Sequence, residues 1–146
     1  MKHILFICSG NYYRSRFAEA VFNHLAAQRG LPWRAFSRGL ATWMVDGYLS
    51  PWTEAALRRR GIDRALTGAT RVALAEADLQ RAHRVVAVKE AEHRPMVREQ
   101  FPAWEHRIDY WTIDDLDCAT AEEALPLLEA RVVALADALA AEPREA

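Results

Sequence analysis

Cys8 and Arg14 stand at the two ends of the run Cys8-Ser9-Gly10-Asn11-Tyr12-Tyr13-Arg14-Ser15, with five residues between them. A thiolate is a strong nucleophile. An arginine fork grips two oxygens of a tetrahedral oxyanion at once, a geometry that lysine cannot supply. Five intervening residues let the chain curl so that both ends face one bound anion, with the sulfur behind phosphorus for in-line attack. Gly10 permits close backbone approach or a positive φ. Asn11 tolerates a left-handed conformation and can pin the loop with its side chain. Ser15 can donate a hydrogen bond to the sulfur. Such chemistry also needs a proton donor for the leaving oxygen and a base for water, and one carboxyl group can serve in both directions. The chain offers Asp109, Asp114, Asp115 and Asp117 on one late stretch.

Cysteine and arginine at this spacing recur by chance, so the flanking elements decide what the loop is. Residues 3–8 form a nearly continuous apolar run, the pattern of a strand buried on both faces. From 15 to about 29 the apolar residues Phe17, Val21, Phe22 and Leu25 share one helical face. Gly30 ends that helix and Pro32 follows. The loop therefore leaves a buried strand and enters a helix N-terminus. Convergent N–H groups and the positive dipole end make such a place an anion site. With Arg14 they favour the thiolate over the thiol.

Further along, 33–37 reads as a second strand and 39–50 as irregular. Pro51 opens a helix to about residue 60, a favoured first helical position. Residues 74–81 form a short helix, 84–88 a third strand, and 90–100 a helix that Pro95 interrupts or delays. Residues 107–111 give a weaker fourth strand. The last helix runs from about 121 to 140, with Thr120 and Glu123 at capping-box spacing. Strands alternating with helices predict an α/β fold with a parallel sheet.

Bulk properties narrow the function. A chain of 146 residues suits a single domain spanning 1–146. A formal net charge of −1 gives no electrostatic case for a nucleic-acid partner. The Arg58-Arg59-Arg60 run before Gly61 fits a helix C-terminus. No apolar stretch approaches a membrane span, and with a strand-like run starting at His3 no signal peptide is expected. Two cysteines, Cys8 and Cys118, make no disulfide framework, so a reducing cytoplasm is expected. The histidines lack ligand spacing and no metal site is expected; His93 reads as a surface helix residue. Trp52 and Trp104 read as core, and Tyr48 as exposed.

The run from Ile4 to Ser15, followed by Ala18-Glu19-Ala20, resembles the signature of low-molecular-weight protein tyrosine phosphatases. Ser37-Arg38-Gly39 resembles the family's Ser-Ala-Gly after its second strand, Gly61-Ile62 its helix end and turn, and Trp111-Thr112-Ile113-Asp114-Asp115 the approach to its acid loop. The resemblance implies a single-domain three-layer α/β sandwich, a four-stranded parallel sheet flanked by helices, with the phosphate-binding loop after the first strand. It implies a phosphatase acting on a phosphotyrosine protein or a small phosphomonoester through a cysteinyl-phosphate, with inorganic phosphate as product and no cofactor. Activity on aryl phosphates is then expected to be best below neutral pH.

Cys8 is the implied nucleophile and Arg14 the clamp. Ser9, Gly10, Asn11, Tyr12, Tyr13 and Ser15 are the implied phosphate-loop and substrate-binding residues. Trp43 lies where the family often has an aromatic wall. Tyr12 suits the same cleft, whereas Tyr13 also suits packing at the strand–helix corner. Asp115 best matches the family's acid, with Asp114 as fallback. Three departures stand out. Leu116 follows Asp115 where the family has proline. Tyr13 replaces a second cysteine. No histidine occurs near 66–69, which leaves Asn11 to be braced by Ser37 and Ser15 alone. Two rivals share the fold: a non-catalytic phosphate or phosphopeptide binder, and an arsenate reductase, which needs relay cysteines that 89–95 lacks.

Overall fold

The computed structural model describes residues 1–143. Its elements are β1 (Lys2–Cys8), α1 (Arg14–Arg29), β2 (Trp33–Gly39), α2 (Pro51–Arg59), α3 (Glu76–Arg81), β3 (Arg84–Ala87), α4 (Glu90–Gln100), β4 (Asp109–Tyr110) and α5 (Ala121–Ala141). Short 3-10 turns lie at Thr42–Met44, Arg64–Leu66 and Pro102–Trp104. The four strands are all parallel, in the order β2-β1-β3-β4. The expected four-stranded parallel sheet with helices on both faces is the fold observed.

β1 sits in the middle and alternates its side chains between two cores. Ile4, Phe6 and Cys8 point to the face covered by α1, α2 and α5. Leu5 and Ile7 point to the other, with Leu79 of α3, Val97 of α4 and Trp104. Burial on both faces is why 3–8 carries no polar alternation. Each such side chain is worth about 1.5–3 kcal/mol of burial.

The sheet order reverses between β1 and β3. The crevice beyond the carboxyl ends of these two strands is the expected ligand position in an open α/β sheet. The loop after β1, the first turn of α4 after β3, and the segment after β4 all open there.

α1 ends as its sequence predicts, with Gly30 left-handed at φ 62°. Its first half is buried almost all round, beyond the one apolar face of Phe17, Val21 and Phe22. The buried polar residues of α1 each have partners. Asn23 Nδ2 donates to the carbonyls of Ala35 and Leu66, and its Oδ1 accepts from the Ala35 N–H at 2.8 Å. Glu19 accepts from Ser37 Oγ at 2.6 Å and Thr67 Oγ1 at 2.7 Å. Burial pushes the Glu19 carboxyl upward against those bonds.

Several elements differ from expectation at their edges. β2 runs two residues further, to Gly39, because the loop after β1 lies against it: Leu40 N donates to the Cys8 carbonyl and Ala41 N to that of Ser9. α3 starts at Glu76, and β4 keeps only two residues. Pro95 and Pro126 sit inside α4 and α5 without ending them. α5 has the predicted capping box, with Thr120 and Glu123 bonded reciprocally. Trp104 is buried as expected, but Trp52 is exposed, because the second position of α2 faces away from the sheet. Among the described residues no helix is long and apolar enough to cross a membrane.

Candidate active site

Cys8 ends β1 with its side chain buried, and its Sγ lies 2.9 Å from Ser15 Oγ at the start of α1. Ser15 Oγ accepts from Asn11 Nδ2 at 2.9 Å, which leaves its own proton free to point at the sulfur. Asn11 Nδ2 also donates to Ser37 Oγ at 3.0 Å, and Ser37 in turn to Glu19. A continuous hydrogen-bonded path thus joins the Cys8 sulfur to a buried carboxyl of the core.

Asn11 has φ 51°, alone among the described non-glycine residues in a positive φ, as its place in the loop predicts. Its bracing is fuller than Ser37 and Ser15 alone. The Val72 N–H donates to Asn11 Oδ1 at 2.8 Å, and Arg16 Nη1 reaches the Asn11 carbonyl at 3.4 Å. A backbone donor and an arginine thus add to the two serines that hold Asn11.

Two glycines are fixed by close approach. A Cβ on Gly10 would stand 2.7 Å from Val45 Cγ2. One on Gly39 would stand 2.7 Å from the Ser9 carbonyl and 2.9 Å from the Asn11 N.

Arg14 is buried under the loop. Nη1 donates to the Ile113 carbonyl at 2.9 Å, and Nη2 to Glu92 Oε2 at 2.7 Å and Asp115 Oδ2 at 3.2 Å. Burial disfavours the charged guanidinium, but the Cys8 sulfur, Glu92 and Asp115 outweigh it and raise its pKa. Asp115 opens a turn in which the Cys118 N–H donates to its carbonyl at 3.0 Å. Leu116 holds the second turn position, and its N–H donates to Asp115 Oδ1 at 2.8 Å. Asp114 points elsewhere, to Lys89 Nζ at 2.9 Å.

Of the two loop tyrosines, Tyr12 is partly buried and lies against Gly47, where a Cβ would meet its Cε1 at 3.4 Å. Tyr13 is buried, which is the packing at the strand–helix corner that the sequence also allowed. Its ring is packed in the core below α1, and burial, then Asp115, pushes its hydroxyl up to about 12. Trp43 and Tyr48 are exposed, and with Thr42, Gly47, Thr70 and Arg71 they line one depression. Ser9 directs its hydroxyl sideways, to Glu92 Oε2 and His93 Nε2.

Four residues at the site escaped the sequence reading. His93 is fully buried beside Ser9 and is not a surface residue. Burial lowers its pKa. Burial also opposes ionisation of Glu92, yet hydrogen bonds from His93 and Arg14 hold its carboxyl well below the usual range. The available signal was positional: α4 opens at the carboxyl end of β3, beside the loop after β1. Arg16 bonds Thr67 Oγ1 and the carbonyls of Tyr48 and Gly68. Arg71 bonds the carbonyls of Gly47 and Thr42. Together they fasten the irregular segment carrying Trp43 and Tyr48 to the body. Among the described residues no group of three His, Cys, Asp or Glu side chains could hold a metal.

A family model described as low molecular weight phosphotyrosine protein phosphatase matches residues 3–143. The low molecular weight protein-tyrosine-phosphatase YfkJ of Bacillus subtilis (strain 168) is 42% identical over 64 residues, which are 42% of this chain and 41% of that protein. The low molecular weight phosphotyrosine protein phosphatase of Sus scrofa is 36% identical over 66 residues, 44% of this chain and 42% of its own length. These alignments span less than half of each relative. The crystal structure of YfkJ from Bacillus subtilis superposes with a TM-score of 0.86 at 27% identity, covering 99% of this chain and 98% of the other.

Proposed function

The chain belongs to the low molecular weight phosphotyrosine protein phosphatase family, and from that premise we propose that it hydrolyses phosphotyrosine or related phosphomonoesters through a cysteinyl-phosphate. Cys8 is the nucleophile, Arg14 the phosphate clamp and Asp115 the general acid. Ser9, Gly10, Asn11, Tyr12 and Ser15 shape the loop, and Trp43 flanks the substrate. Residues 1–146 act as one catalytic unit, in a reducing cytoplasm that keeps the thiol free.

The reaction runs in two displacements. The Cys8 thiolate attacks phosphorus, the bond from phosphorus to the leaving oxygen breaks, and Asp115 gives that oxygen its proton. Water then attacks the cysteinyl-phosphate, the S–P bond breaks, Asp115 takes a proton from the water, and inorganic phosphate leaves. Loop N–H groups and the guanidinium stabilise the equatorial oxygens as charge shifts between them. The Ser15 hydroxyl supports the departing thiolate.

One observation carries the reading: a buried sulfur, at the end of a central strand, that meets Ser15 Oγ at 2.9 Å across a loop whose other end is a buried arginine. Asp115 is favoured over Asp114 because it reaches Arg14, while Asp114 is paired with Lys89. The test is release of product from p-nitrophenyl phosphate and from a phosphotyrosine peptide. Cys8→Ser is expected to abolish both, and residual activity at the original rate would mean another nucleophile.

A further inference from the structure

A buried arginine that has to seize a phosphoryl group needs its plane set beforehand. We propose that Glu92, held in place by His93 and Ser9, is the positioning residue that orients the Arg14 guanidinium and leaves one edge of it for the phosphoryl oxygens. The proposal rests on Arg14 being the clamp.

Burial supplies the first argument. The Arg14 side chain is 2% exposed, so its charge needs a fixed counter-charge. Two carboxylates reach Nη2. Glu92 is the nearer, at 2.7 Å, and is 22% exposed, whereas Asp115 stands at 3.2 Å and is 41% exposed. The first is built in; the second is exchangeable.

Glu92 is itself anchored. It lies in the first turn of α4, next to His93, whose ring is held at both nitrogens. The Lys89 N–H donates to Nδ1 at 3.1 Å, so Nε2 carries the proton and donates to Glu92 Oε2 at 2.9 Å. Ser9 Oγ donates to that same oxygen. One carboxylate oxygen thus collects Arg14, His93 and Ser9, from the loop after β1 and the helix after β3. This is the kind of second contact that fixes a catalytic group's orientation.

A donor count completes the case. A guanidinium has five N–H groups. Ile113 O takes one on Nη1, and Glu92 and Asp115 take the two on Nη2. Among the described residues Nε makes no hydrogen bond. With Glu92 and Ile113 keeping one hydrogen each, three are left: the second on Nη1, the one on Nε and the Nη2 hydrogen now on Asp115; the last two are the pair that meets two phosphoryl oxygens. Arrival of phosphate then releases Asp115 towards the leaving group.

The experiment uses the full chain with Glu92→Gln and Glu92→Asp. It measures kcat and KM on p-nitrophenyl phosphate, affinity for orthovanadate, and thermal melting. Both variants are expected to melt cooperatively, to lose about 10- to 100-fold in kcat with KM within about threefold, and to bind vanadate more weakly, as misalignment of a clamp predicts. If Glu92→Gln does not fold, Glu92→Asp decides, since it keeps the charge and shortens the reach. Vanadate affinity in an Arg14→Lys background separates positioning from general support. Adding Glu92→Gln there is expected to cost no more than about twofold, because Glu92 acts through Arg14. An equal loss in both backgrounds overturns the proposal. So does unchanged kcat. Tighter vanadate binding with kcat kept also overturns it, and makes Glu92 a competitor for the phosphate seat. Full activity in Cys8→Ser would instead overturn the underlying assignment of the site.

Discussion

Asp115 carries the proton in the proposed reaction, and its surroundings bear on how well it does so. The Leu116 N–H bonded to Oδ1 stands where a proline would offer no donor. Asp115→Asn is expected to slow a phosphate with a poor leaving group, such as a phenyl or alkyl ester, by at least about 100-fold. A nitrophenyl ester should suffer far less, because its leaving oxygen needs little protonation. Equal losses on both would remove Asp115 from that role. Tyr13 offers the opposite case. Its hydroxyl is buried and finds no partner among the described residues. Tyr13→Phe is expected to leave KM on aryl phosphates unchanged and to raise stability by about 1 kcal/mol, the scale of an unsatisfied buried hydroxyl. Urea denaturation and steady-state kinetics check the two halves separately. The cysteine, the arginine and the loop asparagine that the structure brings together could all be picked out from the letters, because the chemistry proposed for them needs a fixed spacing within one segment. Glu92 and His93 could not. They lie far along the chain and reach the site only through the β1–β3 pairing.

The elements hold the loop by packing it against the end of β2. Gly39 is the tightest point, with the Ser9 carbonyl, Asn11 N and Thr42 Cγ2 all within 3.0 Å of where a Cβ would sit. Two of those neighbours are backbone of the phosphate loop. Gly39→Ala is expected to push that loop off its geometry and lower kcat/KM by roughly 100-fold, the cost of about 1 Å of misplacement. Full activity in the variant would show that β2 does not set the loop's position. The helices were legible because their signals are local: Gly30 past α1, Pro51 opening α2, the Thr120–Glu123 box on α5. The two-residue β4 and the late start of α3 were not. Their lengths depend on how far neighbouring elements reach along the sheet, not on their own residues.

At the scale of the whole molecule, ion pairs fasten a helix of the outer face to the turn that follows it. Glu105 accepts from Arg94 and from Arg98, joining the Pro102–Trp104 turn to α4. Arg98 first, then Arg94, hold its carboxyl down to about 2. The ordinary glutamate value, about 4.3, describes the unfolded chain. A carboxyl lowered in the folded state contributes stability that is present above about 4.3 and lost as pH falls through about 2. Glu105→Gln is therefore expected to be less stable than the parent at pH 5 to 7. The difference should shrink steadily between about pH 4 and pH 2, as followed by denaturant midpoints. A difference independent of pH over that range would place its origin in packing.

Sequence alone determined the buried central strand, the curled loop between cysteine and arginine, and the alternation that makes a parallel sheet. Each is written in residues close together, where strand period, turn chemistry and helix caps act locally. Tertiary structure alone decided which charges meet Arg14, which tyrosine turns inward, and which side of α1 is polar yet buried. Those outcomes depend on burial and on the juxtaposition of segments about 80 residues apart, as between Ser9 and His93. An ion pair or an unpartnered hydroxyl acquires its energy only once water is excluded around it.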